Sequence, residues 1–113
     1  MNLNEYQEIA RTTANYRIDD IIIYPALGLA SEAGEVAGKV KKVLLDNNGN
    51  FKYQKQNIAD ELGDVLWYVA ILAEDIGYTL EDVAKMNVEK LQARKERNKI
   101  HGSGDYRSWL WRL

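Results

Sequence analysis

A chain of 113 residues with a single proline, Pro25, meets almost no covalent obstacle to long helices. Proline removes a backbone donor and blocks a helix interior, so where it is absent helix formers act unopposed. Two stretches use that freedom, with small and apolar residues at helical spacing. One is ALGLASEAGEVAGKVKK from Ala26; the other is IADELGDVLWYVAILAEDIG from Ile58. They predict helices over about 25–44, with Pro25 in the first turn, and over about 53–76, stopped by Gly77 as a C-cap. A shorter helix is expected from Asn4 to about Tyr16, with Tyr6, Ile9, Ala10 and Thr13 on one side. A fourth is expected from Leu80 to about Arg97, where Thr79 and Asp82 resemble a capping box. DNNGN, from Asp46 to Asn50, is a turn cluster. RIDDIIIYP is open: its three β-branched isoleucines suit an extended strand as well as a helix. The tail HGSGDYRSWLWRL reads as an ordered loop.

Four helices with short connections give antiparallel neighbours, so the fold class is all-α: a four-helix antiparallel bundle in one domain, 1–113. Gly28, Gly34 and Gly38 each weaken the second helix by roughly 1 kcal/mol relative to alanine. That pattern anticipates close packing or a ligand at its centre. Leu62, Val65, Leu66, Val69, Ala70 and Leu72 are expected to pack the third helix, with Trp67 in the core.

Several function classes lose support. A net charge of −2 gives no electrostatic case for nucleic acid. The N-terminus MNLNEYQEIARTT lacks a signal-peptide apolar core, and no apolar run approaches the ~18 residues of a membrane span. There are no cysteines, which agrees with a reducing cytoplasm. A cytoplasmic protein with no membrane partner is expected.

The chemistry lies in the acids. Glu32 and Glu35 are three apart on the second helix, and Glu61 and Asp64 are three apart on the third. Side chains at i and i+3 share a helix face, about 5–6 Å apart at Cβ. Two such helices side by side would crowd four carboxylates, which repel one another and resist desolvation. A hard divalent cation resolves this, and Mg²⁺ takes carboxylate oxygens while keeping waters for a phosphate substrate; Mn²⁺ is an acceptable substitute. The plainer alternative makes each pair the solvated edge of its helix.

SEAGEV followed by DELGDVLWYV resembles the all-α nucleoside triphosphate pyrophosphohydrolases, specifically the short MazG-like proteins. Their motif is E-E-x-x-E, a spacer, then E-x-x-D. Glu32 and Glu35 match its second and third acids; Glu61 and Asp64 match the last pair. MNVEKLQARKERNKIHGSGDYR resembles the family's N-x-x-K-L-x-x-R segment and the glycine-rich loop after it. Asn87, Lys90 and Arg94 fall on those positions. The first acid of the motif is Ser31 here, which leaves the number of metal ions open.

The resemblance implies hydrolysis of a nucleoside triphosphate to the monophosphate and pyrophosphate, with deoxynucleotides preferred. Glu32, Glu35, Glu61 and Asp64 would bind the metal. Glu35, with Glu32 beside it, would supply catalysis by taking the proton of the attacking water. Lys39, Lys90 and Arg94 would reach phosphates, although a solvated basic face explains them too. Tyr68 matches a tyrosine near the sugar in some relatives. His101, Gly104 and Asp105 would wrap a phosphate or ribose, unless their segment is a plain turn. Trp109 and Trp111 would pack an interface or stack on a base. A homo-oligomer, a dimer of dimers, is expected, since a short bundle leaves apolar surface to cover. The rival readings are a phosphoribosyl-ATP pyrophosphohydrolase and a non-enzymatic helical interaction module. A diiron carboxylate bundle would need Glu-x-x-His pairs, and the one histidine, His101, lies in the tail.

Overall fold

The computed structural model describes residues 1–46 and 48–101. They form α1 (Leu3–Thr12), a 3₁₀ turn (Ile18–Asp20), α2 (Ile23–Asp46), α3 (Lys55–Asp75) and α4 (Leu80–His101), with no strand among them. The chain divides into two units, Met1–Leu80 and Glu81–Leu113.

In the first unit α3 is central, with α1 and α2 packed on it. The α2–α3 pair is antiparallel. Its contacts run in opposite order along the two helices, from Lys39 beside Glu61, through Gly28 beside Tyr68, to the Ile22 amide on Asp75. The expected antiparallel arrangement holds for this pair. From Glu81 onward α4 belongs to the second unit, and it ends four residues past the expected Arg97.

The core is small: Ala10, Ala70, Ile71 and Leu80, with Tyr6, Ala14, Tyr16, Trp67 and Val69 against it. Leu62 and Leu66, expected to pack α3, are instead exposed, as is Ile9 on α1. Gln7 is a buried polar residue in this unit. Its Nε2 donates to the Ala70 and Tyr78 carbonyls, and its Oε1 accepts the Leu80 amide at 3.0 Å. One side chain thereby ties α1 to α3 and to the first residue of α4, with both ends of its amide satisfied.

α1 stops at Thr12, four residues short of the expected Tyr16. The hydroxyls of Thr12 and Thr13 donate to the Ile9 and Ala10 carbonyls, an alternative to continuing the helix. Tyr16 is released to donate its hydroxyl to Asp75 Oδ2 at 2.6 Å. The isoleucine run is split: Ile22 sits at φ +69°, a strained region for a β-branched residue, and Ile23 begins α2. What holds Ile22 there is its amide, which donates to the same Asp75 carboxylate at 3.0 Å.

The turn after α2 uses left-handed backbone at Asn48 and Gly49, as the Asn/Gly composition anticipates. α2 runs two residues past Leu44, and α3 begins two residues after Tyr53. The end of α3 follows the expected C-cap. Gly77 lies at φ +90°, its amide donates to the Glu74 carbonyl, and the Tyr78 amide donates to that of Ala73. This is the Schellman pattern, which needs a residue without a Cβ at that point.

Of the α2 glycines, only Gly28 provides close packing within the chain. A Cβ there would overlap the Tyr68 ring, whereas at Gly34 or Gly38 it would meet nothing within 4 Å. Close approach among the described residues is therefore at the second turn of α2, at Gly28, and not at the centre of the helix, where it is expected. No described helix is long and apolar enough to cross a membrane.

Candidate active site

The antiparallel register carries the two acid pairs past each other. Carboxylate oxygens of Glu32 on α2 and of Glu61 and Asp64 on α3 all lie within 4.8 Å of one another. Glu32 and Glu61 are half-buried and Asp64 is exposed, so the cluster opens to solvent on one side. Glu35, one turn after Glu32, lies outside this group of three. Its side chain lines a cavity of about 350 Å³ with Gly38, Lys39, Lys42, Val43, Asp46 and Gln54. Three of the four expected acids are thus brought together, and the fourth borders them.

The electrostatics agree with the geometry. Desolvation, then the charges of Asp64, Glu61 and Glu35, push the Glu32 carboxyl above the usual glutamate range. Lys39 partly offsets the crowding, with Nζ 3.6 Å from Glu61 Oε1. Its observed partner is thus an acid of the cluster. Three hard oxygen donors with surplus negative charge and an open side suit a small divalent cation that retains waters.

A second cavity, of about 330 Å³, adjoins the acids. Thr13, Glu32, Asp64, Trp67 and Tyr68 line it. Tyr68 stands where expected, one turn after Asp64, beside Gly28. A hydrogen bond with Tyr24, together with burial and the nearby Tyr24, Glu32 and Asp64, pushes its phenol up to about 12. It therefore stays a neutral hydroxyl throughout the physiological range. Tyr24 stacks on Tyr16, ring centroids 5.2 Å apart. Trp67, expected in the core, does pack against it, but it also lines this cavity and meets the Tyr68 ring edge-on at 4.9 Å. Its indole N–H donates to Thr13 Oγ1 at 2.8 Å.

Thr13, Trp67 and Tyr24 are the residues that sequence reasoning missed here. Trp67 gave a faint signal, lying three residues after Asp64 and so on the same side of α3. Thr13 gave none, because it reaches the site only through the packing of α1 on α3.

The remaining expected residues belong to the second unit. Asn87, Lys90 and Arg94 follow i, i+3, i+7 spacing along α4 and so share one face; Arg94 is half-buried and the other two are exposed. His101 is the last residue of α4. Gly104, Asp105, Trp109 and Trp111 lie outside the described residues.

Comparison with known proteins matches this arrangement to a family. The model of the MazG nucleotide pyrophosphohydrolase domain matches residues 25–98, the segment holding all four acids and the Asn87–Lys90–Arg94 face. The chain belongs to that family. Among curated proteins it is similar to the Gene 37 protein of Mycobacterium phage L5, 44% identical over 95% of this chain and the whole of that one. It is also similar to the uncharacterized protein YvdC of Bacillus subtilis (strain 168), 39% identical over 60% of this chain and 70% of that one. No solved structure matches the chain.

Proposed function

We propose that the protein is a Mg²⁺-dependent pyrophosphohydrolase that converts a nucleoside triphosphate, preferably a deoxynucleotide, to its monophosphate and pyrophosphate. The observation that carries this reading is the convergence of Glu32, Glu61 and Asp64 within a chain of the MazG family. Clearing unwanted nucleotides from the cytoplasmic pool is the role that fits such an activity.

Glu32, Glu61 and Asp64 would hold the cation, with Glu35 entering from the next turn of α2. When bound, Mg²⁺ neutralises charge on the acids and on the triphosphate, the main requirement of phosphoryl chemistry. The protein's own groups do the rest. Glu35 takes the proton of the attacking water as the α,β-phosphoanhydride bond breaks and pyrophosphate leaves. Lys39 moves from Glu61 to a phosphate oxygen, a short displacement for a flexible side chain. Asn87, Lys90 and Arg94 on one face of α4 are side chains of the kind that bind phosphate. Tyr68, held neutral, donates or accepts at the sugar.

Nucleotides incubated with the protein and Mg²⁺ and followed by ³¹P NMR test this directly. Pyrophosphate and a monophosphate are expected. A diphosphate with inorganic phosphate would exclude the reading. Phosphoribosyl-ATP as the one substrate turned over would favour the related pyrophosphohydrolase instead.

A further inference from the structure

The cavity beside the acids has one wall that the family match does not include. Thr13, at the C-terminal end of α1, precedes residues 25–98, yet its side chain lines the same cavity as Glu32, Asp64, Trp67 and Tyr68. Its hydrogen bonding is polarised. Oγ1 donates its proton to the Ala10 carbonyl at 2.7 Å and accepts the Trp67 indole N–H at 2.8 Å. A hydroxyl carries one proton and two lone pairs, and an indole N–H can only donate. Oγ1 therefore has one lone pair left to accept with and no proton left to donate.

We propose that Thr13 is a specificity-determining residue. Its oxygen selects nucleotides whose base carries an exocyclic amine, a donor that a base with a carbonyl at the same position lacks. The inference rests on the reading of the acid cluster as the triphosphate site, which puts the nucleoside into the adjoining cavity. The acceptor is held still. Thr13 is tied to the end of α1, while Trp67 is braced edge-on against Tyr68, which is itself fitted against Gly28 and tilted against Tyr24. A fixed acceptor discriminates better than a mobile one, because a ligand without the matching donor displaces water from the remaining lone pair and gives no hydrogen bond in return.

The test compares CTP, dCTP, UTP and dUTP on the wild type, Thr13→Val and Thr13→Ser. Turnover is measured with Mg²⁺, and affinity by calorimetry with Ca²⁺ in its place. Valine keeps the shape and loses the oxygen; serine keeps the oxygen. In the wild type each cytidine nucleotide should be favoured over its uridine counterpart by about tenfold, the effect of one hydrogen bond, and chiefly in KM. Thr13→Val should bring that ratio close to one, and Thr13→Ser should restore it. Collapse of the CTP/UTP and dCTP/dUTP ratios together, with the CTP/dCTP ratio unmoved, assigns the donor to the base amine. Thr13→Ala serves the same purpose should the valine variant not fold. Unchanged ratios in a folded, oxygen-free variant, or no discrimination by the wild type, overturn the proposal. Wild-type binding with the expected ratios but no hydrolysis would sink the hydrolase reading and leave this one standing.

Discussion

Three carboxylates meeting within 4.8 Å set a local conflict that folding alone does not relieve. Glu32 registers it, its carboxyl raised by desolvation and by three neighbouring acids. Lys39 relieves part of it from one side. A side chain that only holds the metal should therefore be replaceable by its uncharged isostere without loss of the fold. Glu61→Gln and Asp64→Asn are expected to abolish hydrolysis and to raise the metal-free melting temperature by roughly 2–4 °C, as like-charge repulsion is relieved. Mg²⁺ should stabilise the wild type and have much less effect on either variant. Calorimetric melts with and without Mg²⁺, beside a turnover assay, check this; near wild-type turnover in either variant would mean the site lies elsewhere. At this scale much was legible. Spacing of three along two apolar helices was enough to bring Glu32, Glu61 and Asp64 together, and Tyr68 followed from the next turn. Thr13 and Tyr24 were not legible, since their place depends on how one element is docked on another.

Between elements, the end of α3 is clasped to the approach to α2. Asp75 has only 2% of its side chain exposed. It accepts from Arg11, from the Tyr16 hydroxyl and from the Ile22 amide. Burial alone would raise its pKa, but the Tyr16, Ile22 and Arg11 hydrogen bonds and the Arg11 charge outweigh it and leave the carboxyl below the usual aspartate range. A depressed carboxyl contributes stability above its unfolded pKa of about 3.9, and loses that contribution as pH falls through the lower folded value. The wild type should thus lose stability progressively below about pH 4. Asp75→Asn should flatten that part of the curve, and Asp75→Ala should cost about 2–3 kcal/mol at neutral pH by leaving charge-assisted bonds unmade. Urea unfolding at a series of pH values reads both, and an unchanged acid limb in Asp75→Asn would remove Asp75 from the account. The stop at Gly77 could be read from the sequence, because a glycine after an apolar run is a local signal. The clasp could not: Arg11, Tyr16, Ile22 and Asp75 are joined across more than fifty positions, and its consequence, the early end of α1, was missed with it.

At the scale of the whole molecule, the first unit shows more apolar surface than one copy can hide. Leu27 is 68% exposed on α2, and Leu62 is 53% exposed on α3. Leu27, Gly34 and Gly38 follow i, i+7, i+11 spacing and lie along one side of α2, and a Cβ at either glycine would meet nothing within 4 Å. Such a surface, flat at the glycines and apolar at the leucine, lets a second helix come close. In a chain with so small a core, burying it adds the apolar area that one copy lacks. The protein is accordingly expected to be a homo-oligomer assembled through α2, with the dimer as its unit and a dimer of dimers as the complete form. Sedimentation at micromolar concentration should show no monomer. Leu27→Glu places a charge on the shared face, where a symmetric pair would bring two such charges together, and should shift the protein to monomer. Gly34→Leu, blocking close approach without adding charge, should do the same. A wild type that sediments as an active monomer would refute the assembly and leave Leu27 and the open glycines without a function.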